Sequence, residues 1–583
     1  MSAADWSVVA VYLMATLVIG LWLSRRASGG VVDFFVSGRS LPWWLAGTSM
    51  AATTFSVDTP LYVTGVVARR GIAGNWEWWS FGLAHVLMIY MFARLWRRAE
   101  VVTDAELTEL RYGGRPAAIL RGTRAFLFAV PINCIAIGYA MLAMRKVLEA
   151  LGMFAAVPPW LPGDPRLWLV AALCVFVLVY AGLAGLWGVV ATDFFQFTLA
   201  LLGALLVAGF ALADIGGVAE LRDRLADAGR SDALRMVPRP GSTGLPYGTF
   251  LAYLGIQWWA FRRSDGGGEF VQRLSACRTE TDAQRAAWLF AWLHYVVRAW
   301  PWVLVGLVTI VVLPDLADPE LGYPLLMLRY LPTGLLGLVV ASFFAAFMST
   351  VSTQINWGAS YLVNDLYGRF LAPDADDARL VNLGRLVSVL IVLAGGIAAF
   401  VAEDVGTVFR FMIAIGTGPG AVLILRWFWW RINAWAELAA MLAGFFIALA
   451  TYLPFWGGLS FGEQLVMTAF GSAAVWVPVM LFTRPESEAT LTGFYRRIRP
   501  GGAGWRPIQR AAGLPRGPSL RIAVARSLCA AALLFGAMFA IGGALLIEWQ
   551  TARWAAMVAL AGLAGLRVLA GKDEWGREAA ASG

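Results

Sequence analysis

Long apolar runs separated by short polar segments recur along the whole chain. Fifteen of them are close to or longer than the roughly 20 residues that an α-helix needs to cross a bilayer. These runs occupy residues 5–24, 42–67, 76–95, 123–150, 167–187, 190–215, 247–264, 284–313, 333–360, 380–402, 407–428, 434–456, 463–483, 523–546 and 551–570. The pattern therefore predicts an all-α polytopic membrane protein with about 14–15 transmembrane helices.

Composition supports this fold class and removes several others. The 583 residues are 59% hydrophobic and only 14% charged, whereas soluble domains are about 45–50% apolar and about 25% charged. No P-loop or dinucleotide-binding motif is present in the sequence, and the four cysteines form no CxxC pair. We therefore expect neither an enzyme with catalytic residues nor a nucleic-acid-binding protein.

The positive charges indicate how the chain crosses the membrane. The net charge is +9, and most arginine clusters fall in loops on one side if the N-terminus lies outside. Cytoplasmic loops carry an excess of basic residues, so we expect an outside N-terminus and an inside C-terminus. An arginine-rich composition is typical of a bacterium with a GC-rich genome, which suggests the bacterial cytoplasmic (inner) membrane, with the lipid bilayer as the surrounding partner.

The second run contains an unusual polar stretch at mid-depth. Thr53, Thr54, Ser56, Asp58 and Thr59 follow one another closely, with a proline directly after them. Polar groups in hydrocarbon are costly, and an unwound helix frees carbonyl oxygens that can bind a cation. The stretch therefore predicts a broken helix at a cation site; a simple proline kink is the alternative.

The ninth run carries a stripe of small and hydroxyl-bearing residues. Ser342, Ala346, Ser349, Thr353 and Asn356 recur at intervals of three and four, which places them on one helix face. Hydroxyl oxygens suit a hard cation such as Na⁺. The alternative is a seam of small residues for helix packing.

The only two histidines, His85 and His294, both lie in predicted spans. His294 and Arg298 share a helix face near mid-depth. Their charge must be balanced by Asp58 and Glu77 or by an anionic group of a solute. In the alternative, His294 is a core histidine and Arg298 caps backbone carbonyls away from the solute.

These features together resemble the sodium:solute symporter family over roughly residues 5–500. The resemblance is carried by Asp33-Phe34-Phe35-Val36-Ser37-Gly38-Arg39-Ser40-Leu41, Thr108-Glu109-Leu110-Arg111-Tyr112, Thr192-Asp193-Phe194-Phe195-Gln196, Gln272-Arg273, and the stretch 345–367 ending in Asn364-Asp365-Leu366-Tyr367. It implies a LeuT-type fold of two inverted repeats of five helices, with extra flanking helices and alternating access.

The resemblance also implies a division of the chain. We expect an extra N-terminal helix and inner loop (1–41), a first inverted repeat (42–215), an outer segment (216–246), a second repeat (247–431), two additional helices (432–483), a basic cytoplasmic loop (484–522) and C-terminal helices with a short tail (523–583). The stretch 262–268 is interpreted as an insertion before Gln272-Arg273.

The family's Na⁺ sites map onto this sequence residue by residue. The shared site corresponds to carbonyl oxygens of Ala52, Phe55 and Ala346 and hydroxyls of Ser349 and Thr350. A second site, found in some members, corresponds to Asp193, Ser352 and Thr353. Na⁺ is therefore the expected coupling ion.

Substrate positions match the sugar-transporting members poorly. We take as candidate solute-binding residues Thr54, Asp58, Thr59, Glu77, Trp258, Trp259, His294 and Phe411. His294 stands where those members carry a lysine, and Phe411 aligns with a glutamine. The solute is expected to be a small polar organic molecule, and a sugar is not favoured.

The predicted function is a secondary active transporter that couples inward Na⁺ movement to solute uptake, without an obligate protein partner. Three alternatives stay open at this stage. The first is a sodium-independent or proton-coupled transporter on the same fold. The second is a membrane solute sensor, and the third is a membrane enzyme.

Overall fold

The computed structural model describes residues 1–23, 36–153, 158, 160–242, 244–401 and 404–571. The arginine pair 25–26 and the motif residues 33–35 lie outside the described residues. The helices are α1 Ala3–Leu23, α2 Trp43–Thr53, α3 Asp58–Arg70, α4 Trp76–Trp79, α5 81–99, α6 Glu106–Arg111, α7 Gly114–Ala150, α8 Pro165–Ile215, α9 Val218–Asp227, α10 247–260, α11 Glu269–Ala276, α12 Glu280–Val312, α13 Gly322–Tyr330, α14 Leu335–Leu371, α15 Asp377–Val401, α16 Val405–Gly416, α17 Gly420–Phe428, α18 Ala434–Ala450, α19 Phe461–Phe482, α20 Glu488–Ile498, α21 Arg506–Ala511, α22 Leu520–Leu545 and α23 Trp549–Ala570.

The described part of the chain is almost entirely helical, as the apolar pattern predicts. Eight of its helices are long and apolar enough to cross a membrane as single segments. One predicted boundary between transmembrane spans is absent. The single helix α8 covers both of the predicted spans 167–187 and 190–215. Only two residues, Gly188 and Val189, separate those two runs.

Three helices are interrupted in the described part of the bundle, the third of them between α16 and α17. The first consists of α2 and α3, which are separated by residues 54–57. The second consists of α10 and α11, which are separated by residues 261–268. Stretch 262–268 is therefore the interruption of a broken helix, which corrects its interpretation as an insertion. Gly266 and Gly268 adopt positive φ values of 76° and 74°, a conformation that glycine takes at little cost.

The two broken helices are tied to each other and to a third break. The backbone N–H of Leu41, just before α2, donates to the carbonyl of Ala276 at the end of α11 at 2.9 Å. The N–H of Arg262 donates to the carbonyl of Gly416 at 2.8 Å, and Gly418 donates back to Ala260 at 2.9 Å. The interruption between α16 and α17 thus pairs with the interruption between α10 and α11.

The basic loops that the topology prediction assigns to one side meet at one end of the bundle. Arg98 binds Glu280 at 2.7 Å and donates to the carbonyl of Ile498 at 2.8 Å. Arg497, which precedes Ile498 on α20, donates to the carbonyl oxygen of Ala99 at 2.7 Å. Loops around residues 100, 280 and 498 therefore share one face of the molecule.

Candidate functional site

The interruption between α2 and α3 is closed by an arginine from α12. Thr54 ends α2 and turns its hydroxyl back to the carbonyl oxygens of Met50 and Ala51, at 3.1 and 3.0 Å. The Arg298 guanidinium donates to the carbonyl oxygens of Ala51 at 2.7 Å and Thr54 at 2.6 Å. A cation at a helix C-terminus is stabilised by the carbonyl dipoles. Arg298 is therefore balanced by backbone oxygens at the break itself.

His294 is fixed by the same arginine. Its Nδ1 atom contacts the Arg298 guanidinium and lies 2.9 Å from the Thr54 hydroxyl. Because arginine can only donate, Nδ1 accepts, and the ring proton belongs on Nε2. His85 packs beside it with ring centroids 6.1 Å apart and bonds the Tyr295 hydroxyl at 2.8 Å. The two histidines thus form one polar and aromatic wall.

A cavity of about 210 Å³ lies between the broken helices. Its lining includes two carboxylates, of Asp58 and Glu269, and three guanidinium groups, of Arg262, Arg263 and Arg298. Hydroxyl groups and aromatic rings complete the wall. A mainly apolar cavity with a few convergent polar groups is typical of a site for a small organic molecule.

Five of the eight predicted solute-binding residues line this cavity: Thr54, Asp58, Thr59, Trp258 and His294. The Oδ1 atom of Asp58 is buried and has no hydrogen-bond partner among the described residues. Asp58 begins α3, where the helix dipole favours a negative charge. The Asp58 Oδ1 atom can thus accept a hydrogen bond from a ligand.

The remaining three predicted residues are not among those that line the cavity. Glu77 accepts from Arg70 at 2.6 Å, Tyr62 at 2.9 Å and Tyr253 at 3.0 Å. Its carboxylate therefore belongs to a structural network that joins α3, the short α4 and α10. It is not the partner of Arg298.

Trp259 and Phe411 face neighbouring helices. The Trp259 ring lies 6.5 Å from that of Phe470 on α19, and the Phe411 ring lies 5.1 Å from that of Tyr452. Phe409, two residues earlier on α16, lines the cavity instead and packs on Tyr62 at 4.7 Å. Phe411, taken from the family resemblance, and Phe409 lie on the same helix, and Phe409 is the one that lines the cavity.

The residues of the first predicted Na⁺ site lie where α2 packs against α14. Thr53 and Thr353 place their hydroxyl oxygens 3.3 Å apart. Ala346, Ser349 and Thr350 lie on the same face of α14 as Thr353, one and two turns earlier. All five members of the set are buried: Ala52, Phe55, Ala346, Ser349 and Thr350.

The residues of the second predicted Na⁺ site are bonded to protein groups. The Asp193 carboxylate, on α8, accepts from Ser49 at 2.5 Å and from Ser349 at 2.6 Å. The Ser352 hydroxyl donates to the carbonyl of Ser349 at 3.1 Å, along its own helix. Asp193 thus links the broken helix α2 to α14.

Arg273 supplies a positive charge to this second set. Its Nη2 atom donates to Thr353 at 2.8 Å and lies 3.8 Å from Asp193, while its Nε atom donates to Ser49 at 3.2 Å. The guanidinium is fully buried. Gln272-Arg273 carries the family resemblance, but its contact with Asp193 depends on how α8 and α11 pack, which the sequence does not show.

Three charged residues beside the second interruption line the cavity but are not among the predicted site residues: Arg262, Arg263 and Glu269. Arg263 pairs with Glu269 at 2.5 Å, while Arg262 lacks an ion-pair partner within the described ranges. The available signal was two adjacent arginines and three glycines in an otherwise apolar run. Because stretch 262–268 was interpreted as an insertion, it was not assigned to the site.

The Thr108-to-Tyr112 motif stabilises the basic end of the bundle. Arg111 donates to the carbonyl oxygen of Arg426 at 2.7 Å, and Tyr112 donates to Glu437 at 2.7 Å. Burial alone would raise the pKa of Glu109, but hydrogen bonds from Arg369 and Arg121 lower it below its ordinary value. This motif is therefore structural and lies outside the cavity.

Comparison with known proteins gives a consistent picture. The model of the sodium:solute symporter family matches residues 34–444. The sodium/glucose cotransporter of Vibrio parahaemolyticus is 26% identical over 507 residues, covering 80% of this chain and 88% of the relative. The human sodium/myo-inositol cotransporter 2 is 27% identical over 484 residues, covering 76% and 69%.

Solved structures show the same fold. A substrate-bound, outward-open Na⁺-coupled sialic acid symporter superposes with a TM-score of 0.66 at 21% identity, over 83% of this chain and 99% of the other. A nucleobase-cation-symport-1 family transporter gives a TM-score of 0.50 at 12% identity, over 80% and 98%. At these identities the likeness establishes the fold, in agreement with the predicted inverted-repeat architecture.

Proposed function

The chain belongs to the sodium:solute symporter family and couples Na⁺ movement to the uptake of a small polar organic solute; we propose that the solute occupies the central cavity and that Na⁺ binds beside it. The main support for this proposal is the cavity. It is lined by the end of one broken helix, by the interruption of the other, and by polar residues of α12 and α14. Alternating access moves such elements against each other around a central site.

We propose that the coupling Na⁺ binds carbonyl oxygens of Ala52, Phe55 and Ala346 and hydroxyl oxygens of Ser349 and Thr350. Support comes from Thr350, whose Oγ1 atom is buried without a hydrogen-bond partner in the described structure. An unsatisfied buried hydroxyl costs roughly 1–3 kcal/mol. A Na⁺ ion would use that oxygen.

Ion and solute are coupled in this proposal because they share residues. Thr350 lines the cavity and belongs to the proposed ion site, and Thr53 and Thr54, which follow Ala52 in the sequence, line the cavity as well. A Na⁺ at the break would hold α2 and α14 together. The solute would then bind to a cavity wall that is already ordered. Its binding free energy would not include the cost of ordering that wall.

Asp193, Ser352 and Thr353 form the competing proposal of a second Na⁺ site. We favour a different role, in which Arg273 provides the positive charge that Asp193 needs. The 3.8 Å separation and the bond from Arg273 to Thr353 support it. A second Na⁺ would then bind only after Arg273 moves away.

We further propose that the protein lies in a bacterial cytoplasmic membrane with its N-terminus outside and C-terminus inside. The meeting of the arginine-rich loops at one end supports a single basic face. The division into repeats 42–215 and 247–431 is part of the same proposal. The matching interruptions at 54–57 and 261–268, one near the start of each repeat, support it.

The experiment is a thermal unfolding titration of the purified protein with NaCl, in which choline chloride keeps the ionic strength constant. A ligand that binds only the folded state stabilises it by roughly 1.4 kcal/mol at ten times its Kd. The expected result is a saturable rise of the unfolding midpoint with Na⁺, enlarged by a true solute. Glucose and myo-inositol, named for the relatives, belong in the solute panel.

Two measurements separate the alternatives. A sodium-independent or proton-coupled carrier would give no specific Na⁺ effect. A sensor would bind solute but would not accumulate it in proteoliposomes under an inward Na⁺ gradient.

A further inference from the structure

We infer that Arg262 binds an anionic group of the transported solute, and that this group is a carboxylate. The inference rests on the proposed function, in which the solute occupies the central cavity. It names the chemical class of the solute, which neither the family nor the named relatives specify for this chain.

The backbone of Arg262 is held firmly at the interruption between α10 and α11. Its N–H donates to the carbonyl oxygen of Gly416 at 2.8 Å, and the adjacent Phe261 forms an isolated bridge with Thr417. Arg262 is only 4% exposed and lines the cavity. Its side chain is therefore presented to the cavity from a fixed point.

The Arg262 guanidinium forms no ion pair with any of the described residues. Its Nε and Nη1 atoms are buried without a hydrogen-bond partner among the described residues. Aromatic rings surround the group: it lies 5.3 Å from the Phe128 centroid, 5.6 Å from that of Phe261 and 5.7 Å from that of Trp357. Such rings attract a cation, but they accept no conventional hydrogen bond in the guanidinium plane.

The carboxylates that act electrostatically on Arg262 are those of Glu269 and Asp104. Glu269 pairs with Arg263 at 2.5 Å. Asp104 accepts from Arg124 at 2.8 Å and from the N–H of Gly268 at 3.2 Å. Each acid is bound to another donor, and no ion pair joins either of them to Arg262 within the described residues. The Glu269 Oε2 and Asp104 Oδ1 atoms have no hydrogen-bond partner there.

The other charges of the cavity are balanced locally. Arg298 is held by carbonyl oxygens at the end of α2, and Asp58 lies at the positive end of α3. Arg263 and Glu269 neutralise each other. Three arginines and two carboxylates line the cavity in the described structure. Arg262 is the arginine among them whose guanidinium binds neither a carboxylate nor a backbone oxygen there, and a buried charge without such a partner is costly.

A carboxylate matches the Arg262 guanidinium in charge and in shape. The planar fork of arginine binds the two carboxylate oxygens through parallel hydrogen bonds. A single negative charge satisfies the balance, which favours a monocarboxylate over a doubly charged acid. The cavity volume of about 210 Å³ lies below the roughly 300–1,000 Å³ of typical ligand pockets, which favours a small acid.

The test uses pairs of probes that differ only in charge. Monocarboxylates from acetate and lactate to nicotinate are each matched with their primary amide, and the thermal unfolding midpoint of the full-length protein is measured with NaCl and with choline chloride. We expect stabilisation by at least one carboxylate in NaCl and no comparable effect of its amide. A panel in which no carboxylate acts, or in which amides act equally, overturns the inference.

Variants of Arg262 test whether this residue is responsible for the stabilisation by the carboxylate. Losing a hydrogen bond to a charged group costs roughly 1.5–3 kcal/mol, so Arg262→Gln should weaken the active carboxylate about tenfold to hundredfold. Arg262→Lys keeps the charge and should retain part of the affinity, which also guards against a misfolded glutamine variant. Arg410→Gln, a control, removes a positive charge outside this cavity. Equal carboxylate affinity in Arg262→Gln and the control overturns the assignment.

The same experiment can refute the carboxylate assignment to Arg262 without refuting sodium coupling, and the reverse also holds. A neutral solute that stabilises the protein only in NaCl would refute the carboxylate and leave sodium coupling intact. A carboxylate that acts equally in choline chloride, and depends on Arg262, would support this inference and count against sodium coupling.

Discussion

The Thr350→Val substitution tests the proposed Na⁺ site with little structural disturbance. Valine has nearly the shape of threonine, and the Thr350 hydroxyl makes no hydrogen bond within the described structure. Removing an unsatisfied buried hydroxyl is neutral or stabilising for the empty protein. Any loss of Na⁺ binding therefore reflects the lost ligand oxygen and not a damaged fold.

The expected magnitude follows from the loss of one neutral oxygen beside a full charge. By analogy with hydrogen bonds to charged groups, this loss is roughly 1.5–3 kcal/mol, or about tenfold to hundredfold in Na⁺ affinity. The assay is the NaCl titration of the unfolding midpoint without solute. Where a transported solute is known, the Na⁺ dependence of its uptake should shift by the same factor.

A matched control is available in α3. Thr64 is fully buried, and its Oγ1 atom is also unpartnered, but it does not line the cavity. Thr64→Val should leave Na⁺ affinity unchanged. The site assignment fails if Thr350→Val binds Na⁺ as tightly as this control, or if both variants lose affinity equally.

Three further results are expected. Ser349→Ala should lower Na⁺ affinity and, unlike Thr350→Val, also destabilise the Na⁺-free protein by roughly 1–3 kcal/mol, because Asp193 loses a 2.6 Å bond; a normal unfolding midpoint in choline would contradict this. His294→Ala should raise the solute half-saturation about tenfold while the Na⁺ titration of the empty carrier stays near wild type; a change in folding alone would make it a core histidine. Proteoliposomes should take up one Na⁺ per solute, and a ratio of two would favour the Asp193 site.

The first broken helix could be predicted because its cause lies in the local sequence. Hydroxyl-bearing residues and Asp58 crowd into a few positions, and Pro60 fits only within the first turn of the next helix. The helix ends at Thr53 and restarts at Asp58, as that pattern indicates. The second interruption is built from arginines and glycines, which also occur in ordinary loops.

The partners of charged residues were harder to predict. Three partners were open for Arg298: an acid, the solute or backbone carbonyls near Pro301. It binds backbone carbonyls, but those of α2. Backbone acceptors are present at every residue, so a side-chain pattern cannot reveal them. Glu77 was assigned to the solute, but Arg70 lies seven residues earlier and reaches it at 2.6 Å across the turn between α3 and α4. Such pairings depend on packing.

The two central arginines together determine how much charge a transport cycle moves. If Arg273 supplies the positive charge at Asp193, one Na⁺ enters per cycle; if Arg262 binds a monocarboxylate, one negative charge enters with it. The net charge moved is then zero, and uptake loses the roughly 2.3 kcal/mol per 100 mV that a cation crossing alone would gain. Only the concentration gradient of Na⁺ would drive accumulation. Carboxylate uptake that is insensitive to an imposed potential fits both assignments, whereas inward current would require a second Na⁺ or a neutral solute.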